Sequence, residues 1–234
     1  MAETALHQAL KVLFAGSSGL QEALVEGYQI DVLQGELLVE IQTRNFSALK
    51  SKLSHLLDNH PVHLVHPLAR EKWLVTIDPN TAHEINRRRS PRRGRLEDLF
   101  YELVRIPHLV KRPNFSLEVL LIRELEIRRN DGRGSWRRRG VSIVDRRLLE
   151  VLDSHLFTCP DDYRIFLPGS LPETFTSLEF TASSHLPNRL ASKAVYCLFH
   201  MGLIRRAGRR GRMWLYEVVA TDPNAAANPP ANAR

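Results

Sequence analysis

Cysteine is scarce in this chain of 234 residues: there are two, Cys159 and Cys197. Two thiols cannot build a four-cysteine zinc cluster, and they show no secretory pattern, so reduced thiols are expected. No apolar run comes near the length of a membrane span. The opening MAETALHQAL lacks the basic-then-apolar order of a signal peptide. These absences point to a cytoplasmic protein without a membrane partner. A phosphate-cradling loop is missing as well, because Ser17-Ser18-Gly19 has neither the Walker spacing nor its lysine. The hydrophobic share of 43% and charged share of 25% are ordinary for a globular chain. The length allows one large domain or two small ones.

Arginine is what the chain has in excess. The formal net charge is +7, and the basic residues cluster in Arg87 to Arg89, Arg92-Arg93, Arg137 to Arg139 and Arg205 to Arg212. The planar donor fork of arginine suits phosphate, so several separate runs favour nucleic acid as the partner.

Hydrophobic spacing divides the chain into four parts. Residues 1–80 read as an α/β unit. A helix over Leu6 to Phe14 stops at Gly16, and a hairpin follows over Tyr28 to Thr43. A second helix carries Phe46, Leu49, Leu53, Leu56 and Leu57 on one face. The stretches VHLV and KWLVTI then read as two strands. Residues 81–140 form a basic linker and middle segment. Here TAHEINRRRSPRR reads as a linker, RLEDLFYELVRI as a helix, NFSLEVLLIRELEIRR as a strand, and NDGRGSWRRRG as a loop. Residues 141–220 read as a helix over VSIVDRRLLEVLDSHLF, a Pro-containing stretch, a helix over TSLEFTASSH, a turn, a helix over NRLASKAVYCLFHMGLI stopped by Gly202, and a hairpin tipped by AGRRGR. The tail 221–234 is low in complexity and expected to be disordered.

The hairpin YQIDVLQGELLVEIQT raises the sharpest question. A two-residue turn at Gly35-Glu36 pairs Gln34 with Leu37, Leu33 with Leu38 and Val32 with Val39, and sets Asp31 opposite Glu40. Alternation puts Glu40, Gln42 and Asp31 on one face and Ile30, Val32, Val39 and Ile41 on the other. Two carboxylates facing each other repel unless a cation intervenes, and hard divalent ions take carboxylate oxygens. Asp31→Asn is therefore expected to be neutral or stabilising without metal. His63 and His66, three apart on a strand, point to opposite faces and do not share a metal.

Two resemblances follow from these residues. The hairpin with its Asp31, Glu40 and Gln42, followed by a helix and a strand, resembles the PD-(D/E)xK nuclease superfamily over residues 5–78. The resemblance implies a restriction-endonuclease-like core of α+β or α/β class, with Asp31 and Glu40 as Mg²⁺ or Mn²⁺ ligands and Gln42 beside the scissile phosphate. Gln42 departs from the usual lysine, and Lys50 or Lys52 on the next helix could supply that ammonium. The last unit resembles the winged helix-turn-helix family, through its element order, the core SHLPNRLASKAVYCLFHMGLIRR and the arginine hairpin. That resemblance implies double-stranded DNA as the partner, and through that partner a nucleoid-associated protein. Asn188, Arg189, Ser192 and Lys193 would enter the major groove, and Arg205, Arg206, Arg209, Arg210 and Arg212 would meet phosphate or the minor groove. A metal-dependent endonuclease is the expected activity, and a DNA-binding regulator with an inactive nuclease-like domain is the alternative. A homodimer is left open. Cys197 falls on the apolar face of its helix and is expected in the core.

Overall fold

The computed structural model describes residues 3–220; the expected disordered tail, 221–234, lies outside the described residues. The chain opens with α1 (Ala5–Ala15), capped by the Thr4 hydroxyl, which accepts from His7 N–H at 3.3 Å. Gly16 ends it at φ +52, a region open to glycine. Three antiparallel strands follow: β1 (Leu20–Val25), β2 (Tyr28–Gln34) and β3 (Leu37–Ile41). The β2–β3 register is the expected one, with Gln34 on Leu37, Leu33 on Leu38 and Val32 on Val39. A 3-10 turn at Phe46–Leu49 leads into α2 (Lys50–Leu56), which buries Leu53 and Leu56. The chain then returns as β4 (Val62–Ile77), parallel to β3.

β4 runs unbroken for 16 residues, where two strands were expected; an irregularity between Ala69 and Glu71 joins the halves. Its outer half pairs with β5 (Glu84–Arg89), so the expected linker at 81–93 contains a strand. The segment expected as a helix from Arg95 is a 3-10 turn at Leu96–Leu99 and a short α3 (Phe100–Leu103). β6 (Phe115–Asn130) is the strand expected of that sequence and lies parallel to β4, and β7 (Val141–Phe157) lies antiparallel to β6. The large sheet has the order β1-β2-β3-β4-β6-β7, with β5 beside β4.

β7 corrects the helix expected at 141–157, and with it the start of the second unit at 141. Its ladder with β6 slips at three places, between Leu121 and Ile122, Arg123 and Glu124, and Ile127 and Arg128. Each slip moves later side chains to the other face, which erases the two-residue period and leaves Ile143, Leu148, Leu149 and Leu152 at helix-like spacing.

Two cores form on the two faces of this sheet. α1 lies on one face, where Leu6 and Leu10 meet Val32, Val39, Ile41, Val65, Leu120 and Ile122. α1 touches both β2 and β7, which lie toward opposite edges, so the sheet curls around it. α2 and α3 cover the other face, with Phe46, Leu53, Leu103 and Ile106 over Leu38, Leu64, Leu117 and Val119.

The same core continues into the last unit. A 3-10 segment at Pro160–Phe166 is followed by β8 (Thr174–Phe175), α4 (Ser177–Ser184), α5 (Asn188–Met201), β9 (Ile204–Arg210) and β10 (Met213–Val218). Its small sheet has the order β8-β10-β9. Phe175, Phe180, Leu190 and the fully buried Cys197 share one cluster with Leu103 and Phe115. α4 starts with a reciprocal cap, in which Thr176 N–H donates to the Glu179 carboxylate at 2.7 Å and the Thr176 hydroxyl accepts from Glu179 N–H at 3.3 Å. Thr176→Ala is expected to lower stability by about 1 kcal/mol, read as a drop in melting temperature of a few degrees. An unchanged melt would mean that the cap is made elsewhere.

Candidate functional site

Asp31 and Glu40 come together at the end of the β2–β3 ladder, but not on one face. The β2–β3 pairing ends at Val32 and Val39, and Glu22, which lies between the residues paired with Val32 and Ile30, has φ +57. The pleat changes here: Ile30 joins Leu38 in the α2-side core, while Val32, Val39 and Ile41 pack under α1. The expected shared face for Ile30, Val32, Val39 and Ile41 is thus split. Asp31 is met from the α1 side. Its carboxylate accepts from Ile41 N–H at 2.8 Å and lies 3.1 Å from His7 Nε2 and 3.3 Å from Lys11 Nζ. Lys11 is itself almost wholly buried and also meets Glu3 at 2.8 Å and Glu22. Burial pushes the Asp31 carboxyl up, but the His7 and Ile41 hydrogen bonds, with the nearby positive charges, bring it below its ordinary value.

Glu40 is met from the α2 side. Lys52 Nζ on α2 bonds both the Glu40 carboxylate and the Gln29 carbonyl. Burial holds the Glu40 carboxyl above its ordinary value, with Lys52 offsetting only part and the Asp31 charge adding to the rise. Of the two lysines considered for the ammonium missing at position 42, it is Lys52 that reaches Glu40. Gln42 turns away, donating to the carbonyls of Arg44 at 2.6 Å and Asn45 at 3.4 Å. Among the described residues no group of three or more His, Cys, Asp or Glu side chains is placed to hold a metal ion. His63 and His66 do face opposite sides, His63 toward Phe14 and Glu118, His66 toward Phe46.

One charged cluster escaped the sequence reading. Glu124 and Glu126 on β6 are almost completely buried. Lys72 Nζ reaches them at 3.1 and 3.2 Å, Arg128 meets Glu126, and Arg146 lies 3.5 Å from both. Burial raises the Glu126 carboxyl, but Lys72 and Arg128 outweigh it and keep it below the ordinary value. The Glu-x-Glu alternation in RELEIRR was the available signal, since it sets both carboxylates on one face of a strand.

The basic surface lies on α5 and the β9–β10 hairpin. α5 buries Leu190, Ala191, Ala194, Val195, Cys197 and Leu198, which leaves Asn188, Arg189 and Ser192 exposed and Lys193 half-buried. The Ser192 hydroxyl donates to the Asn188 carbonyl at 2.8 Å. On the hairpin, Arg206 and Arg209 stack over Trp214 at 4.1 and 4.0 Å from the ring centre, and Arg206 also lies 5.0 Å over Phe199. A stacked guanidinium keeps its edge donors free while its position is fixed. Arg205 is paired with Glu217, and Arg210 with Glu179 at 2.8 Å. Bonds from Thr176 and Arg210 hold the Glu179 carboxyl down to about 2. Arg212 is exposed at the hairpin turn. The arginines expected to act alike thus fall into two kinds, stacked or open (Arg206, Arg209, Arg212) and carboxylate-paired (Arg205, Arg210).

These features define a mixed α+β protein, a curled sheet around one helix carrying a basic helix-and-hairpin unit. The chain belongs to a family described as a domain of unknown function (DUF8091), whose model matches residues 4–158. That match begins just before α1 and ends just after β7, so it coincides with the large-sheet unit. An uncharacterized protein of Treponema pallidum (strain Nichols) is 30% identical over 221 residues, 92% of this chain and 84% of the relative. That similarity extends across the C-terminal unit as well. No solved structure matches the chain.

Proposed function

We propose that the protein binds duplex DNA through a C-terminal winged helix built on a nuclease-like core. The observation that carries this reading is the exposed, polar start of α5 beside a hairpin whose Arg206 and Arg209 are stacked on Trp214. The element order β8, α4, α5, β9, β10 and the sheet order β8-β10-β9 support a winged helix. The order α1, β1, β2, β3, α2, β4, with β4 parallel to β3, supports the nuclease-like core. Asn188 and Arg189 would read base edges, while Arg206, Arg209 and Arg212 would meet phosphates. Fluorescence anisotropy on a labelled duplex tests this reading. The full chain should bind at low salt, and joint replacement of Arg206, Arg209 and Arg212 by Ala should remove most of that binding. A folded wild-type chain that leaves the duplex free would overturn it.

One observation favours a second reading, Mg²⁺- or Mn²⁺-dependent cleavage of the bound DNA. Lys52 stands on Glu40, so an ammonium, a carboxylate and Asp31 meet at the hairpin despite Gln42. As the donors stand, each carboxylate is already closed by its own ammonium, and a divalent ion would have to compete with Lys11 and Lys52 for them. Plasmid nicking separates the readings. Metal-dependent nicking that Asp31→Asn abolishes would establish the second, and an intact plasmid with DNA bound leaves the first.

A further inference from the structure

Beyond the end of β3, between β4 and the loop running from Ser90 to Arg95, lies a cavity of about 390 Å³, a size typical of small-molecule sites. The loop is its roof, and two backbone bonds pin it to β4. Ser90 N–H donates to the Lys72 carbonyl at 2.8 Å and Gly94 N–H to the Ala69 carbonyl at 3.0 Å. A Cβ at Gly94 would lie 2.7 Å from the Ala69 oxygen, so this approach requires glycine. Lys72 and Arg128 contribute to the floor, but the buried Glu124 and Glu126 already hold them. Arg92 differs: it is exposed on the roof, and among the described residues its guanidinium has no hydrogen-bond or ion-pair partner. Among the described residues that line it, the cavity therefore has one uncommitted cation, Arg92, while its two carboxylates are engaged, Asp98 by Arg95 N–H and Glu102 by Asn45 and Phe46 N–H.

The inner wall offers an acceptor. His66 lines the cavity and is 1% exposed. Its Nδ1 lies 2.6 Å from the Gln42 carbonyl, an atom that only accepts, so Nδ1 carries the proton and Nε2 the lone pair. That Nε2 is buried without a partner, a state that a donor from a ligand would relieve. Burial keeps the ring below its ordinary pKa, hence neutral. Tyr101 adds an aromatic wall, and Leu68 and Ala69 an apolar one. A second hollow shares Arg92, Asp98 and Tyr101 with this cavity and is walled by Arg93, Arg95, Pro187 and Leu190. Pro187 and Leu190 flank the start of α5, where the proposed DNA surface begins.

We infer that this cavity binds one nucleotide unit that carries an exocyclic amino group, with the phosphate on Arg92 and the amine toward His66 Nε2. The inference deepens the duplex-binding reading and rests on it for the link to α5, while the cavity chemistry stands on its own residues. A charged hydrogen bond to phosphate, an aromatic face and a buried acceptor are what such a nucleotide requires.

Isothermal titration of the full chain with deoxyadenylate is the test, with deoxyadenosine and thymidylate as comparisons. Deoxyadenylate should bind most tightly, because deoxyadenosine lacks the phosphate and thymidylate lacks the amine. Arg92→Ala should weaken it about tenfold or more, and Gly94→Ala, which lifts the roof, should weaken it too. Failure of deoxyadenylate to bind at millimolar concentration, equal binding by Arg92→Ala, or equal binding of thymidylate would each overturn the inference. Displacement of deoxyadenylate by a phosphorylated oligonucleotide would identify a strand as the source, and no displacement a free nucleotide. A chain that binds deoxyadenylate but no duplex refutes the duplex reading alone, and the reverse result refutes the cavity alone.

Discussion

Raising monovalent salt from about 50 to about 200 mM is expected to weaken duplex binding roughly a hundredfold. Besides Arg189, which is proposed to read base edges, four cations on the proposed surface have no carboxylate on them among the described residues: Lys193, Arg206, Arg209 and Arg212. If each neutralises one phosphate, the slope of log affinity against log salt is about −3.6, from roughly −0.9 per contact. The fourfold rise in salt then gives the hundredfold loss. Joint replacement of Arg206, Arg209 and Arg212 by Ala should flatten the slope to about −1, because one contact of four remains. Arg205→Ala and Arg210→Ala should change it less, since Glu217 and Glu179 already occupy those side chains. Anisotropy titrations at several salt concentrations give both slopes. A wild-type slope near zero would rule out phosphate as what the arginines meet.

That division among the arginines was not legible in the sequence, where Arg205 to Arg212 read as one run. The partners come from other elements: Glu179 from α4, Trp214 from β10. Local pattern sufficed where the determinant was local. The turn at Gly35-Glu36 set the β2–β3 register, and apolar spacing marked α2 and α5, whose faces the core then used. It failed where the determinant was a neighbour. β5 is exposed along its whole length and held by backbone bonds to β4, so its side chains carry no period to read. β7 lost its period to three slips against β6. At the hairpin, the close approach of Asp31 and Glu40 could be foreseen. Their separation to two sides could not, because it depends on Lys11 and Lys52 arriving on helices that precede and follow the hairpin.

Asp31→Asn and Glu40→Gln are accordingly expected to move stability by different amounts and to respond oppositely to pH. The Asp31 carboxylate accepts the Ile41 N–H and faces His7 and Lys11 with its side chain 17% exposed. Removing its charge should cost about 1.5–3 kcal/mol, the range for hydrogen bonds to charged groups, or several degrees of melting temperature. This replaces the expectation of a neutral or stabilising change, because the repulsion from Glu40 is outweighed by partners on the other side of the sheet. Glu40→Gln should change stability by less than about 1 kcal/mol, since the amide oxygen can still accept from Lys52 and burying the charge is itself unfavourable. The pH arms give the sign. Asp31 is held below its ordinary value of 3.8, so its stabilisation is present above that value and is lost as pH falls toward the folded value. Glu40 is held above its ordinary value of 4.5, so its contribution is full below that value and is lost as pH rises through the folded value. Relative to wild type, Asp31→Asn should therefore worsen as pH rises through the range just below 3.8, and Glu40→Gln should improve as pH rises through the range just above 4.5. Melts of the three proteins across this acid range decide the matter. Parallel curves for both variants would mean that the two carboxylates share one environment, and the separate Lys11 and Lys52 pairings would fail.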